Sequence, residues 1–161
     1  MSVTSLLEKS WRPVRFDPKK VEPERILQLL ETAVWAPNDG LREPWRFLFV
    51  DGGQAEKALP HHRNAPAHLA VIADMVDDPH KQEEDLAAVF CLIQNLRLLG
   101  LEQGIGMVVN IEDWVHNDTL RQRLGIRQHE RIAAVLDMGY MEHAGRAAEP
   151  LQTASLRIHE C

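Results

Sequence analysis

The stretch from Gln82 to Gln103 constrains this chain more than any other feature. Leu86, Val89, Phe90, Ile93, Leu96, Leu99 and Leu101, with Leu92 and Leu98 adding to the spread, would cover much of a helix's circumference. A helix that is apolar nearly all round has to be buried on more than one side. The chain has 161 residues, about the size of one domain. Two arrangements therefore stand open: a central helix in a monomeric core, or a helix with one side against a second subunit. The second is the expectation carried forward. Glu83, Glu84 and Asp85 would place negative charge at the positive end of the helix dipole.

The rest of the chain alternates between helical and extended patterns. Residues 3–10 suit a short helix, and Pro13 and Pro18 oppose its continuation. Pro23 fits the first turn of a helix running to about Ala36, with Ile26, Leu30, Ala33 and Val34 on one face. Pro37 ends it, and Asn38-Asp39-Gly40 signals a turn. Trp45 to Val50 reads as a strand, with Trp45 packing into the core at its start. A weaker helix is expected over Gln54 to Leu59, a strand over His68 to Met75, and a loop over Val76 to Lys81. After a turn at Gly104-Ile105-Gly106, Met107 to Ile111 gives a third strand. Asp118 to Leu124 gives a short helix stopped by Gly125, and Arg131 to Met141 a fourth strand. The pattern is α+β in a single domain spanning 1–161, with an extended tail at 143–161 packing on a partner subunit.

Composition narrows the function classes. With 45% hydrophobic residues the chain can bury a core, and a formal charge of −6 argues against a phosphate-neutralising nucleic-acid surface. No stretch of about 18 uncharged apolar residues suggests a membrane span. The start MSVTSLLEKSW lacks the pattern of a secretory signal. Cys91 and Cys161 are too few for a disulfide framework, Cys91 reads as a small buried hydrophobe, and a cytoplasmic location is expected. The eight histidines show no metal-ligand spacing, and no GxSxG elbow, HExxH or CxxC is present. Gly104-Ile105-Gly106 lacks the third glycine of a dinucleotide fingerprint and follows a helix rather than a strand. No metal site and no acid–base catalytic set is therefore expected.

Four segments, in order, instead resemble the nitroreductase family. They are Arg12-Pro13-Val14-Arg15-Phe16-Asp17; Ala36 to Phe47 (APNDGLREPWRF); Gln94-Asn95-Leu96 followed by Gly104-Ile105-Gly106; and Leu120 to Gly125 followed by Ile132 to Tyr140. The likeness covers roughly residues 5–142, and APNDGLREPWRF before a strand is its most specific piece. Leu41 and Glu43 stand where the family carries asparagine and glutamine, and Val109 stands where it carries tryptophan. Its serine beside the N-terminal arginines is absent here, and the stretch 145–150 keeps only Arg146 as a basic residue.

The resemblance implies a central mixed, mainly antiparallel sheet flanked by helices, in an intertwined homodimer with two FMN sites at the interface. It implies a flavin oxidoreductase that carries reducing equivalents from NADH or NADPH to a small organic acceptor, such as a nitro compound or quinone. The flavin would carry the chemistry, which suits the lack of a catalytic side-chain set. Arg12 and Arg15, next to Pro13, are the expected phosphate ligands, because guanidinium groups bind phosphate through charge-assisted hydrogen bonds. Trp35, Pro37, Asn38 and Asp39 are expected beside the cofactor, with Val109, Asn110 and Ile111 near its ring. Leu41, Arg42 and Glu43 are expected to line the acceptor pocket. A dimer of the same fold that sequesters flavin or binds a small ligand without turnover is the alternative.

Overall fold

The computed structural model describes residues 2–10, 14–59, 65–142 and 158. Helix α1 spans Val3–Ser10 and α2 spans Pro23–Ala33. Strand β1 is Trp45–Asp51, α3 is Gly52–Ala58 and β2 is Ala67–Asp74. The long helix α4 is Pro79–Glu102, followed by β3 at Ile105–Asn110, α5 at Asp118–Arg123 and β4 at Glu130–Tyr140.

The four strands form one sheet in the order β1-β2-β4-β3, and every pairing is antiparallel. Because sides alternate along a strand, the sheet buries two faces. On one, Leu69, Val71 and Ala73 of β2 and Leu136 and Met138 of β4 meet α2 and α4. On the other, Ala70, Ile72, Ile132 and Val135 meet Ala55 and Leu59 from the α3 region and Val115 and Leu120 near α5. The register slips between Val71 and Ile72, which pair with Ala134 and Ile132. That bulge leaves Ala133 as the extra residue and lets Ile132 and Val135 serve the same core.

Helix α4 begins at Pro79, not at Gln82, and Val76–Lys81 is only in part a loop. The reason is local: Asp78 caps the helix by accepting from the His80 and Lys81 amides at 3.0 and 3.3 Å, and Pro79 fits its first turn. The expectation that Cys91 is buried is also corrected, because the thiol is exposed. The buried line of α4 is Asp85, Ala88, Val89, Leu92, Ile93, Leu96 and Gly100, while Ala87 and Cys91 face outward and Leu98 is half-buried. Among the described residues, the helix thus leaves the line through Ala87 and Cys91 uncovered. Helix α2 stops at Ala33, short of Ala36, consistent with the extended conformation that a proline imposes on the residue before it.

Strand β3 starts at Ile105, inside the glycine pair expected to be a turn. Gly104 turns with φ of 75°, but Gly106 is a strand residue paired with Gly139. Both glycines make room for the N-terminal segment, which bridges Phe16 to Met141 beyond the end of β4. A Cβ on Gly106 would lie 2.5 Å from Val14 Cγ1, and one on Gly139 would lie 2.7 Å from the Phe16 ring. The expected tail packing at 143–161 falls, apart from residue 158, outside the described residues.

Candidate functional site

Two groups of expected site residues sit at opposite ends of the sheet. The first is the N-terminal segment. Arg12 and Pro13 lie outside the described residues; Arg15 is exposed, and its carbonyl accepts the Glu142 amide at 3.0 Å. Arg15 makes no ion pair among the described residues. Arg97 of α4 donates to the Ser10 carbonyl at 2.9 Å, tying the end of α1 to the same end of the molecule, and burial lowers its pKa.

Strand β3 forms one margin of the sheet among the described residues, and it leads away from this segment. Gly106 lies under Val14, and Asn110 is four residues further on, about 13 Å at the usual strand rise. Val109 packs partly on the α4-side core, Asn110 is buried with its amide donating to the Val135 carbonyl at 3.1 Å, and Ile111 is 58% exposed. The Asn110 side chain therefore serves the sheet, while Ile111 remains on the surface.

The second group is the turn between α2 and β1. Trp35 is 83% exposed, Pro37 is exposed, and the Asn38 side chain is spent within the turn. Its Nδ2 donates to the Ala36 carbonyl at 3.2 Å and its Oδ1 accepts the Glu43 amide at 3.1 Å. Gly40, Leu41 and Glu43 have φ of 58°, 54° and 48°. For Leu41 and Glu43 that left-handed backbone costs about 1–2 kcal/mol each. Leu41 is 80% exposed, and Glu43 is exposed beside it.

Arg42 points the other way. Its Nη2 and Nε reach Asp85 Oδ1 at 2.7 and 3.2 Å, its Nη1 reaches Asp39 Oδ2 at 2.9 Å, and Glu84 lies 3.6 Å from Nη2. Asp85 is only 2% exposed. Arg42, expected to line an acceptor pocket, ties the turn to α4. The sequence held a signal for this: Asp85, Val89, Leu92 and Leu96 form one helical stripe, so a carboxylate stands on the apolar face and needs a cation.

Register measures the separation of the two groups. Trp45 pairs with Ala73 and Ala73 with Arg131, so the turn lies at the start of β4. Arg15 lies beyond Tyr140, at its end. About ten residues of strand separate them, roughly 30 Å, which exceeds the length of one flavin mononucleotide. One chain does not bring both groups to one cofactor.

Other clusters fit a ligand less well. Asp74, His129 and Glu130 place potential metal-ligating atoms within 4.8 Å of one another, beside a cavity of about 350 Å³. Both Glu130 oxygens, however, are held by Arg46 at 2.7 Å, and the Arg127 amide adds a bond at 2.8 Å. Those contacts, led by the Arg46 hydrogen bonds, push the Glu130 carboxyl down to about 2. A cation there would meet two guanidinium groups. A cavity of about 470 Å³ under Phe16–Pro18 has Asp17, Asp51 and Lys20 in its lining, a poor match for an anion. His68 and Asp137 form a buried pair at 2.8 Å between β2 and β4, which no local pattern in the sequence reveals.

The chain is thus an α+β protein with its N-terminal segment laid beside one sheet margin and a strained turn at the far end of the sheet. Residues 9–76 match the profile of the nitroreductase family. A Bacillus subtilis protein named as an NAD(P)H nitroreductase, YfhC, is 33% identical, with 89% of this chain and 87% of that protein covered. The chain belongs to the nitroreductase family. The crystal structure of a nitroreductase-like family protein from Bacillus cereus superposes with a TM-score of 0.80 at 28% identity, covering 93% of this chain and 92% of that one. A Desulfovibrio desulfuricans protein solved in complex with FMN shares the fold, with a TM-score of 0.74 at 20% identity over 94% of this chain and 93% of that one.

Proposed function

We propose that this protein is an FMN-dependent oxidoreductase that passes reducing equivalents from NADH or NADPH to a small organic acceptor such as a nitro compound or quinone, and that it works as a homodimer. The observation that carries the reading is the N-terminal segment laid over Gly106 and Gly139, with Arg15 exposed beside the β3 margin. Side chains at those two glycines would fill the space that Val14 and Phe16 take, so the glycines hold Arg15 at the strand.

Arg15, with Arg12, would bind the phosphate by charge-assisted hydrogen bonds. The β3 stretch Val109–Ile111, about 13 Å along the strand, would border the ring. Bound FMN would supply the hydride chemistry, so the chain's work is to bind, orient and leave one face open. The roughly 30 Å between Arg15 and the turn supports a site completed by Asn38–Glu43 of a second copy. The outward line Ala87, Cys91 and Leu98 of α4 supports a partner on the uncovered side of that helix. The exposed Cys91 thiol suits the reducing cytoplasm.

Titration of the purified protein with FMN, followed by flavin fluorescence, tests the proposal, with NADH or NADPH then added without oxygen. The expected result is saturable binding and bleaching of the oxidised flavin. Binding without bleaching would favour a flavin-sequestering dimer, and no binding would overturn the flavin reading. Arg12→Ala and Arg15→Ala should each weaken FMN binding by about 10–150-fold, the equivalent of about 1.5–3 kcal/mol.

A further inference from the structure

We infer that Arg42 and Asp85 form a clamp that sets the shape of the Asn38–Glu43 turn, making Arg42 a positioning residue for the flavin site. The inference rests on the proposed function for the turn's role, but its physical basis is independent of it. A loop with left-handed backbone at Gly40, Leu41 and Glu43 relaxes unless its surroundings over-determine it. Three of the turn's contacts are internal: Arg42 N to Asp39 O at 3.2 Å, Glu43 N to Asn38 Oδ1 at 3.1 Å, and Arg42 Nη1 to Asp39 Oδ2 at 2.9 Å. Among the described residues, the charged link from the turn to the body of the molecule is Arg42 to Asp85, with Glu84 beside it.

The anchor is stiff for a reason. Asp85 sits on the buried stripe of α4, seven residues into a helix that is itself packed on α2 and the sheet. A carboxylate buried there is stable only with its cation in place. Arg42 answers with two nitrogens on one oxygen, which fixes the guanidinium plane as well as its position. Its neighbours Leu41 and Glu43 are thereby turned outward into solvent on either side. The clamp thus spends the cation on α4 and presents an apolar and an acidic side chain to the second subunit's flavin.

Three variants test this: Arg42→Ala, Asp85→Asn, and Arg42→Ala combined with Leu41→Gly. Backbone couplings of Leu41 and Glu43, measured by NMR without flavin, report the sign of φ, and FMN affinity is read by fluorescence titration. Both single variants should lose the positive φ at these residues and weaken FMN binding by about tenfold or more, the scale of one lost charged contact. They change the local charge in opposite directions, so a shared loss of affinity separates positioning from plain electrostatics. Leu41→Gly should restore much of the affinity lost in Arg42→Ala, because glycine takes the left-handed backbone freely.

Unchanged φ in both single variants would overturn the clamp. So would affinities that move in opposite directions, or a loss that Leu41→Gly does not recover. If the parent itself binds no FMN, the flavin reading of the site falls. The couplings then still decide whether the clamp shapes the turn.

Discussion

Glu130 is 1% exposed at its side chain and held charged chiefly by two bonds from Arg46, with the Arg127 amide adding a third. Its carboxyl titrates at about 2 when folded, against 4.5 for an ordinary glutamate. A depressed folded pKa contributes stability that is present above the unfolded pKa and lost as pH falls through the folded one. The contribution should therefore be complete above about pH 5 and disappear between about pH 4.5 and 2, amounting to at most about 3 kcal/mol. Urea unfolding at pH 7 and pH 3 should show the parent losing stability on acidification, with Glu130→Gln less stable at pH 7 and flatter across the range. An equal acid loss in Glu130→Gln would assign the pH dependence to other carboxylates. Arg46→Met should be worse than Glu130→Gln, at about 3–5 kcal/mol, because it strands a buried carboxylate rather than a half-exposed guanidinium.

At the scale of elements, Gly106 is the point where the N-terminal segment, β3 and the proposed phosphate ligands meet. Gly106→Leu would push a side chain into Val14 Cγ1 and the Met141 side chain, 2.5 and 2.9 Å from a Cβ. The segment should lift off while the sheet stays paired. FMN affinity should then fall about as far as in Arg15→Ala, with little change in strand content by circular dichroism. Full affinity in Gly106→Leu would mean that the segment's seat on β3 is irrelevant to the cofactor. The sequence shows Gly106 as part of a turn, since two glycines around one isoleucine look the same in a turn and in a strand under a crossing chain. Elements with their own period were legible: Ile26, Leu30 and Ala33 placed α2, and the apolar runs placed β1, β2 and β4. The start of α4 was not, because the cap lies at Asp78 in a stretch of polar residues. The Arg42–Asp85, Arg46–Glu130 and His68–Asp137 pairs bridge 43, 84 and 69 residues; the packing of α4 beside the turn joins the first, and the sheet's register joins the other two. Within the segments that the resemblance proposes for the site, the sequence does not show which side chains are already committed: Asn38, Arg42 and Asn110 each bond within the fold itself.

For the whole molecule, the roughly 30 Å between Arg15 and the turn gives a prediction that no single-chain site shares. If one subunit supplies the phosphate ligands and the other the turn, damage to the two halves can be complemented. Arg15→Ala protomers and Arg42→Ala protomers should each bind FMN weakly as homodimers. Mixed at equal amounts and allowed to exchange, about half of the dimers should be mixed. Each mixed dimer should hold one site with both defects and one with neither, so about a quarter of all sites should recover parental affinity. A site built within one chain would give no recovery, because every chain carries one lesion. Light scattering on the same samples supplies the control. A dimer mass with a quarter of the sites restored supports the shared site, and a monomer mass would remove the interface on which it depends.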